Sequence, residues 1–89
     1  MATKVKKSAV GLEGLIGERV LFMCANYFYA GKLVALAGTG ASSAAVLEDA
    51  SVVYETGSWG EPQWKDAQPV KRKQVGVRLD AIESFMPER

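Results

Sequence analysis

Residues 17–50 constrain the fold most, because apolar runs alternate there with turn residues at the spacing of a strand meander. The pattern predicts three strands, over residues 18–25, 27–36 and 45–55. Asn26 and the Gly- and Ser-rich residues 38–43 are typical turn sequences between them. These three strands predict an antiparallel β-sheet in which chain neighbours pair.

The first predicted strand is apolar at both its odd and its even positions. Such a strand is covered on both faces, so we expect one face in an interior and the other against the N-terminal segment or a neighbouring chain. Gly31 lies in the middle of the second predicted strand. A glycine there is typical of a bulge or a sharp bend, the device by which a small barrel curls a strand over its core.

The rest of the chain predicts a short helix, a loop and two further strands. Residues 8–16 favour one or two helical turns, and residues 56–68 have the composition of a loop. A fourth strand ends at Leu79, and a fifth covers residues 82–86 after a tight turn at Asp80-Ala81.

In the fourth strand, strand parity places Lys71 and Lys73 on the face of the apolar Val75 and Val77. Either this strand projects beyond the barrel, or a bulge near Gln74 resets its register.

Length and composition exclude several classes of protein. The 89 residues suffice for one domain, expected over residues 8–89 behind a flexible basic arm of residues 1–7. A single cysteine, Cys24, excludes an intramolecular disulfide scaffold. The chain has no histidine, so the usual general base and the commonest zinc ligand are both missing. We therefore expect no enzyme activity, no metal site and no cofactor.

Charge and hydropathy indicate a protein of the cytoplasm that makes no use of a membrane. The net charge is +1, with local clusters of basic residues near the start of the chain and at residues 71–73. No apolar run approaches the roughly 18 residues of a membrane span. The apolar stretch after the first lysines is interrupted by Glu13 and is too short for the core of a signal peptide.

Four sequence motifs resemble those of the Sm and Sm-like protein family. In chain order they are Leu15-Ile-Gly17 followed by Arg19-Val20, Gly31-Lys-Leu33, Val46-Leu-Glu-Asp-Ala50 and Val77-Arg-Leu-Asp-Ala-Ile82. Together they span about two thirds of the chain. Residues 47–57 are also similar to short viral proteins of this type. The resemblance implies a strongly bent, five-stranded antiparallel barrel with a short N-terminal helix.

The resemblance also implies a cyclic homo-oligomer of five to seven subunits. The last two strands of such a barrel have open edges, and the fourth strand of one subunit would pair with the fifth strand of the next. The residues expected at this subunit contact are Val75, Val77, Leu79, Ile82 and Phe85.

Rings of this family bind single-stranded RNA around a central pore through two loops of each subunit. Arg78 matches the arginine of the second loop, whereas Leu79 replaces the glycine that follows it. In the first loop, Ala37 and Ala44 stand where the family has an aspartate and an asparagine. The hydroxyl groups left to contact RNA near Arg78 belong to Thr39, Ser42 and Ser43.

Two tryptophans in the 56–68 loop support an alternative function. Trp59 and Trp64 lie in an otherwise polar segment, and aromatic side chains often anchor protein interfaces. A protein-binding adaptor ring that uses this loop is therefore the second hypothesis. The indoles could instead cap the chain's own core, and Arg78 could instead pair with Asp80. The sequence leaves these alternatives open.

Overall fold

The computed structural model describes residues 11–40 and 43–88, which form one antiparallel sheet. Its strands are β1 (Arg19–Cys24), β2 (Phe28–Ala37), β3 (Ala44–Glu55), β4 (Asp66–Pro69), β5 (Val75–Arg78) and β6 (Ile82–Pro87). The sheet order is β4-β3-β2-β1-β6, and β5 also pairs with β3. The predicted all-β class is confirmed. None of the described helices is long and apolar enough to cross a membrane.

The predicted N-terminal helix is reduced to a single turn of 3-10 helix at Leu12–Leu15. Glycines at positions 11, 14 and 17 oppose a longer α-helix, each by about 1 kcal/mol relative to alanine. The turn is held by packing instead, since Leu12 and Leu15 contact the main core. The arm of residues 1–7 and the start of the predicted helix, residues 8–10, lie outside the described residues.

The prediction of a bulge at Gly31 is confirmed. Ala30 pairs with Ser51 and Lys32 pairs with Glu48, so two residues of β3 stand opposite one glycine of β2. Asp49 takes up the extra length with a left-handed backbone, φ 51°. Such a bulge bends the strand and increases its twist, which turns the two halves of β3 in different directions.

The predicted fourth strand is two strands, which corrects both its extent and its register. β4 pairs with the end of β3, and β5 pairs with the beginning of β3. Between them residues 70–74 leave the sheet, and Lys71 adopts φ 63°. The chain thus accommodates the basic residues by breaking the strand, and neither a projecting strand nor a bulge near Gln74 is needed. Residues 66–68 of β4 lie inside the segment predicted as loop.

Two apolar clusters lie on opposite faces of β1. The main core holds the even-numbered residues Val20, Phe22 and Cys24 together with residues of β2, β3 and β5. The second cluster holds Leu21 and Met23 with residues of β2, β3, β4 and β6. Trp64 packs on this second face, which we expected the N-terminal segment or a neighbouring chain to cover. The 3-10 turn packs against the main core instead.

The described sheet is not closed. β6 pairs with β1 alone, and β4 and β5 pair with β3 alone, so each has one edge without a partner among the described residues. Because β6 ends one side of the sheet and β4 and β5 end the other, the two free edges lie at opposite ends of the strand order.

Candidate functional site

The described residues of the β2–β3 turn (38–40 and 43) lie beside the end of β5 (residues 78–80), and we call the two segments together the loop cluster. Arg78 pairs with Ala44 in the sheet, and the Leu79 amide donates to the carbonyl of Ser43 over 3.0 Å. Within the turn, the Ser43 amide donates to the Gly40 carbonyl over 3.1 Å. The structure therefore brings Thr39, Ser43 and Arg78 to the same region. Ser42, also predicted for this site, lies outside the described residues.

Arg78 is held in an ion pair at the surface. Its Nη2 lies 2.7 Å from Oδ2 of Asp80, and both side chains are more than half exposed. An exposed pair of this kind contributes about 0–1 kcal/mol, because water solvates both partners and salt screens them. The ion pair therefore orients the Arg78 guanidinium, and a ligand that displaces Asp80 loses little free energy in doing so.

Ala37 and Ala44 face each other as the last pair of the β2–β3 ladder. They flank the turn on both sides, so the two methyl groups stand beside the loop cluster. Neither supplies a hydrogen bond there. The polar side chains in the described part of the loop cluster are those of Thr39, Ser43, Arg78 and Asp80.

The two tryptophans contact each other but have different surroundings. Their rings lie 5.8 Å apart between centroids, at 87°, which is an edge-to-face contact. Trp64 is half-buried against the second cluster and donates from Nε1 to Oε2 of Glu88 over 2.6 Å. Trp59 is 53% exposed. Trp64 therefore caps the chain's own core, and Trp59 presents an indole to solvent.

Glu88 connects the tryptophan loop to β1. Its second oxygen, Oε1, accepts from Nε of Arg19 over 2.6 Å, and Nη1 of Arg19 contacts Oδ2 of Asp49 over 3.0 Å. The Glu88 side chain is 14% exposed, so its two bonds are shielded from water better than those of a surface ion pair, whereas the Asp49 side chain is 88% exposed. Sequence reasoning missed this network, since its four residues share no motif.

The residues predicted at the subunit contact differ in burial. Val77 is 5% exposed and belongs to the main core, whereas Phe85 on β6 is 40% exposed. Val75, Leu79 and Ile82 are half-buried against the core. Phe85 is therefore the member of this set whose side chain is most available to a second molecule.

Sequence reasoning also missed three tyrosines that cluster beside the β1–β2 turn. The Tyr27 ring lies 6.4 Å from that of Tyr29 and 6.1 Å from that of Tyr54, both in edge-to-face geometry. Burial raises the pKa of the Tyr29 phenol, and the neighbouring Cys24 and tyrosines add to that rise. The hairpin register pairs Tyr29 with Val52, so a predicted register for β2 and β3 would have signalled the proximity of Tyr54.

The cysteine is poorly suited to nucleophilic chemistry. Burial raises the pKa of the Cys24 thiol, and the negative charge of Glu83 raises it further. A thiol with a raised pKa holds less of the reactive thiolate at neutral pH. Within residues 11–40 and 43–88, no group of three or more histidine, cysteine or carboxylate residues is arranged to hold a metal ion.

Comparison of the chain with models of protein families, with curated proteins and with solved structures gave no match.

Proposed function

We propose that this protein is a non-catalytic, Sm-like module that assembles head-to-tail into a closed homo-oligomeric ring. The observation that carries the proposal is the pair of free edges, one on β6 and one on β4 and β5, at opposite ends of a strongly bent sheet. An unpaired strand edge offers a row of backbone donors and acceptors to another chain. When the two edges of one subunit are complementary, a heterologous contact repeats from subunit to subunit, and it gives a ring where its rotation closes and an open filament where it does not.

The size of the chain also favours assembly. A domain of fewer than 100 residues buries roughly 60–65% of the surface of its unfolded chain, which leaves a thin margin of stability. Ring formation adds burial at both edges. Phe85 would contribute the largest exposed apolar side chain on β6.

Light scattering coupled to size exclusion, with native mass spectrometry, tests the ring. We expect a single species of five to seven subunits, and we expect Phe85→Glu to shift it toward monomer because a charge would enter the contact. Leu36→Glu is the matched control, since Leu36 has similar exposure but lies on β2, which stands between β1 and β3 in the sheet order and not at either end. A stable monomer at micromolar concentration contradicts the ring.

Within the ring, we propose that the loop cluster binds single-stranded RNA. The nearness of Arg78 to Ser43 supports this, because a guanidinium and a hydroxyl group then lie where one ligand could contact both. Phosphate contacts make such binding dependent on salt. With Ala37 and Ala44 in place of polar residues, we expect little selectivity among bases, since sequence readout requires hydrogen bonds to base edges.

A pair of substitutions at one ion pair tests RNA binding. Arg78→Ala removes the cation and should weaken binding of a short single-stranded RNA by about tenfold in low salt. Asp80→Asn removes the competing carboxylate and should strengthen it. Fluorescence anisotropy with a labelled oligonucleotide, measured over a salt series, gives both affinities. No binding by the wild-type protein at low salt, or equal affinity of both variants, contradicts the site.

Trp59 supports a second candidate, a protein-binding adaptor ring. Its half-exposed indole stands against Trp64, which Glu88 holds in place, so the indole is presented on a fixed support. Trp59→Ala should then abolish capture of a protein partner while the oligomer keeps its size. Retention of the partner by this variant would leave Trp59 with a structural role.

A further inference from the structure

An open groove of about 500 Å³ lies between the β1–β2 turn and the segment that joins β5 to β6. We call it the tyrosine groove. Its apolar walls include Cys24, Val75 and Val77, and its aromatic wall is formed by Tyr27 and Tyr29. The groove is separate from Trp59 and Trp64, and its volume is within the usual range of ligand sites.

The two rings of the aromatic wall meet edge to face beside the groove. The Tyr27 and Tyr29 rings meet at 64°, and Tyr27 is 49% exposed. Tyr27 also lines a neighbouring groove of about 510 Å³ with Tyr54. Aromatic faces attract cations, and the attraction grows as water is excluded.

The charge of the groove is negative. Two carboxylates, Asp80 and Glu83, line it together with one cation, Arg78. Asp80 neutralises Arg78 at 2.7 Å, whereas Glu83 forms no salt bridge with any of the described residues. The Glu83 charge acts on the groove wall as well, because it contributes to the raised pKa of the Cys24 thiol there.

We propose that the tyrosine groove binds an arginine side chain of a peptide partner. The aliphatic stem would lie along Cys24 and Val77, as long cationic side chains do on apolar surfaces. The planar guanidinium would stack on Tyr27 and pair with Glu83, a combination of contacts that arginine makes better than lysine. A nucleic acid fits this groove poorly, since its phosphates would approach the Glu83 carboxylate. The inference does not rest on RNA binding by the loop cluster.

The test uses the full-length protein and a labelled peptide in which three arginines alternate with glycines. Citrulline in place of arginine gives a matched control peptide, with the same shape and no charge. We expect the arginine peptide to bind saturably and the citrulline peptide to bind at least tenfold more weakly, a difference of about 1.4 kcal/mol or more. Fluorescence anisotropy measures both affinities.

Substitutions at two exposed residues then locate the site. Glu83→Gln should weaken arginine-peptide binding by about fivefold or more, and Tyr27→Ala should weaken it while Tyr27→Phe, which keeps the ring, should not. Because Glu83 and Tyr27 are exposed, these variants should retain the wild-type circular dichroism spectrum and oligomer size.

Three results would overturn the proposal. The first is equal affinity for the arginine and citrulline peptides, and the second is wild-type affinity in Glu83→Gln. The third is a change of oligomer size in Glu83→Gln or Tyr27→Ala, which would assign the groove to the contact between copies. A single-stranded RNA arm separates the two sites, since Glu83→Gln should weaken the peptide but not the RNA. Loss of RNA binding in Arg78→Ala with intact peptide binding is the result expected if the two ligands use different residues, and it would support both sites.

Discussion

Substitution of Gly31 by alanine probes the bend of the sheet directly. The added Cβ would lie 3.1 Å from Cα of Ala50, 3.1 Å from the carbonyl oxygen of Glu48 and 3.3 Å from Cβ of Ala50. Two of these atoms belong to the backbone of β3. They cannot rotate away as the end of a flexible side chain would, so β3 must move at its bulge.

The expected cost follows from two opposing effects. Overpacking of a close-packed interior costs about 1–3 kcal/mol. Against this, alanine restricts the unfolded chain and returns about 0.4–1 kcal/mol, because Gly31 does not have a positive φ. We therefore expect Gly31→Ala to lower the free energy of unfolding by roughly 1–2 kcal/mol. For a domain of this size that is a fall in Tm of about 5–15 °C.

Gly14→Ala is the matched control. Gly14 lies in the 3-10 turn, and a Cβ added there meets no atom within 4 Å. Urea unfolding followed by circular dichroism, at one protein concentration for all variants, gives the free energies. A Gly31→Ala variant within about 0.5 kcal/mol of the wild type, the range of a neutral surface substitution, would refute the close approach of β2 to β3.

Two further predictions concern the half-buried Glu88 carboxylate and the buried Cys24 thiol. Glu88→Gln should destabilise the protein by about 1 kcal/mol, because it removes the negative charge to which both Arg19 and the Trp64 indole donate. Tryptophan fluorescence should report the change. An unaltered emission spectrum together with unaltered stability would contradict the network. The raised pKa of Cys24 means that the folded state holds the thiol proton more tightly than the unfolded state does. The thiol's contribution to the free energy of unfolding should therefore be fully present below about pH 8.5 and be lost as the pH rises through the folded pKa. Cys24→Ala should make that fall shallower in a pH series of urea titrations, and identical slopes would contradict the burial of the thiol.

The central strands could be predicted from sequence because burial dictates their composition. β1, β2 and β3 begin and end within one residue of their predicted bounds. The bulge was also predictable, since Gly31 interrupts an otherwise apolar strand. The position at which β3 takes up the extra residue was not predictable. Asp49 adopts a left-handed backbone where β3 passes Gly31 of the opposite strand, and the sequence around Asp49 does not show that pairing.

The outer strands were harder to predict. β4 is a short edge strand of the sequence Asp-Ala-Gln-Pro, with no residue fully buried, so neither alternation nor apolar content distinguishes it from a loop. It exists because β3 is long enough to pair with two separate segments. Strand parity alone shows that the basic residues near Lys71 conflict with one continuous strand. That the chain resolves the conflict with two strands depends on the pairing of β4 and β5 with β3, which the sequence does not show.

The two candidate sites also differ in how far the sequence alone predicts them. The nearness of Arg78 to Ser43 was expected from the resemblance to proteins with two paired loops, and the hydrogen bond from the Leu79 amide to the Ser43 carbonyl agrees with that expectation. The tyrosine groove depends on the bend of the sheet, which brings β5 beside the β1–β2 turn. No local pattern in the sequence encodes that distance.

The contacts of Glu88 have a geometrical consequence for assembly. Glu88 follows β6 at one end of the strand order, and Trp64 precedes β4 at the other end, so their hydrogen bond joins the two ends of an open sheet. This hydrogen bond restrains the relative orientation of the two free edges. In the proposed ring that orientation sets how many subunits close a circle, so we expect a chain without the bond to form rings of more than one size.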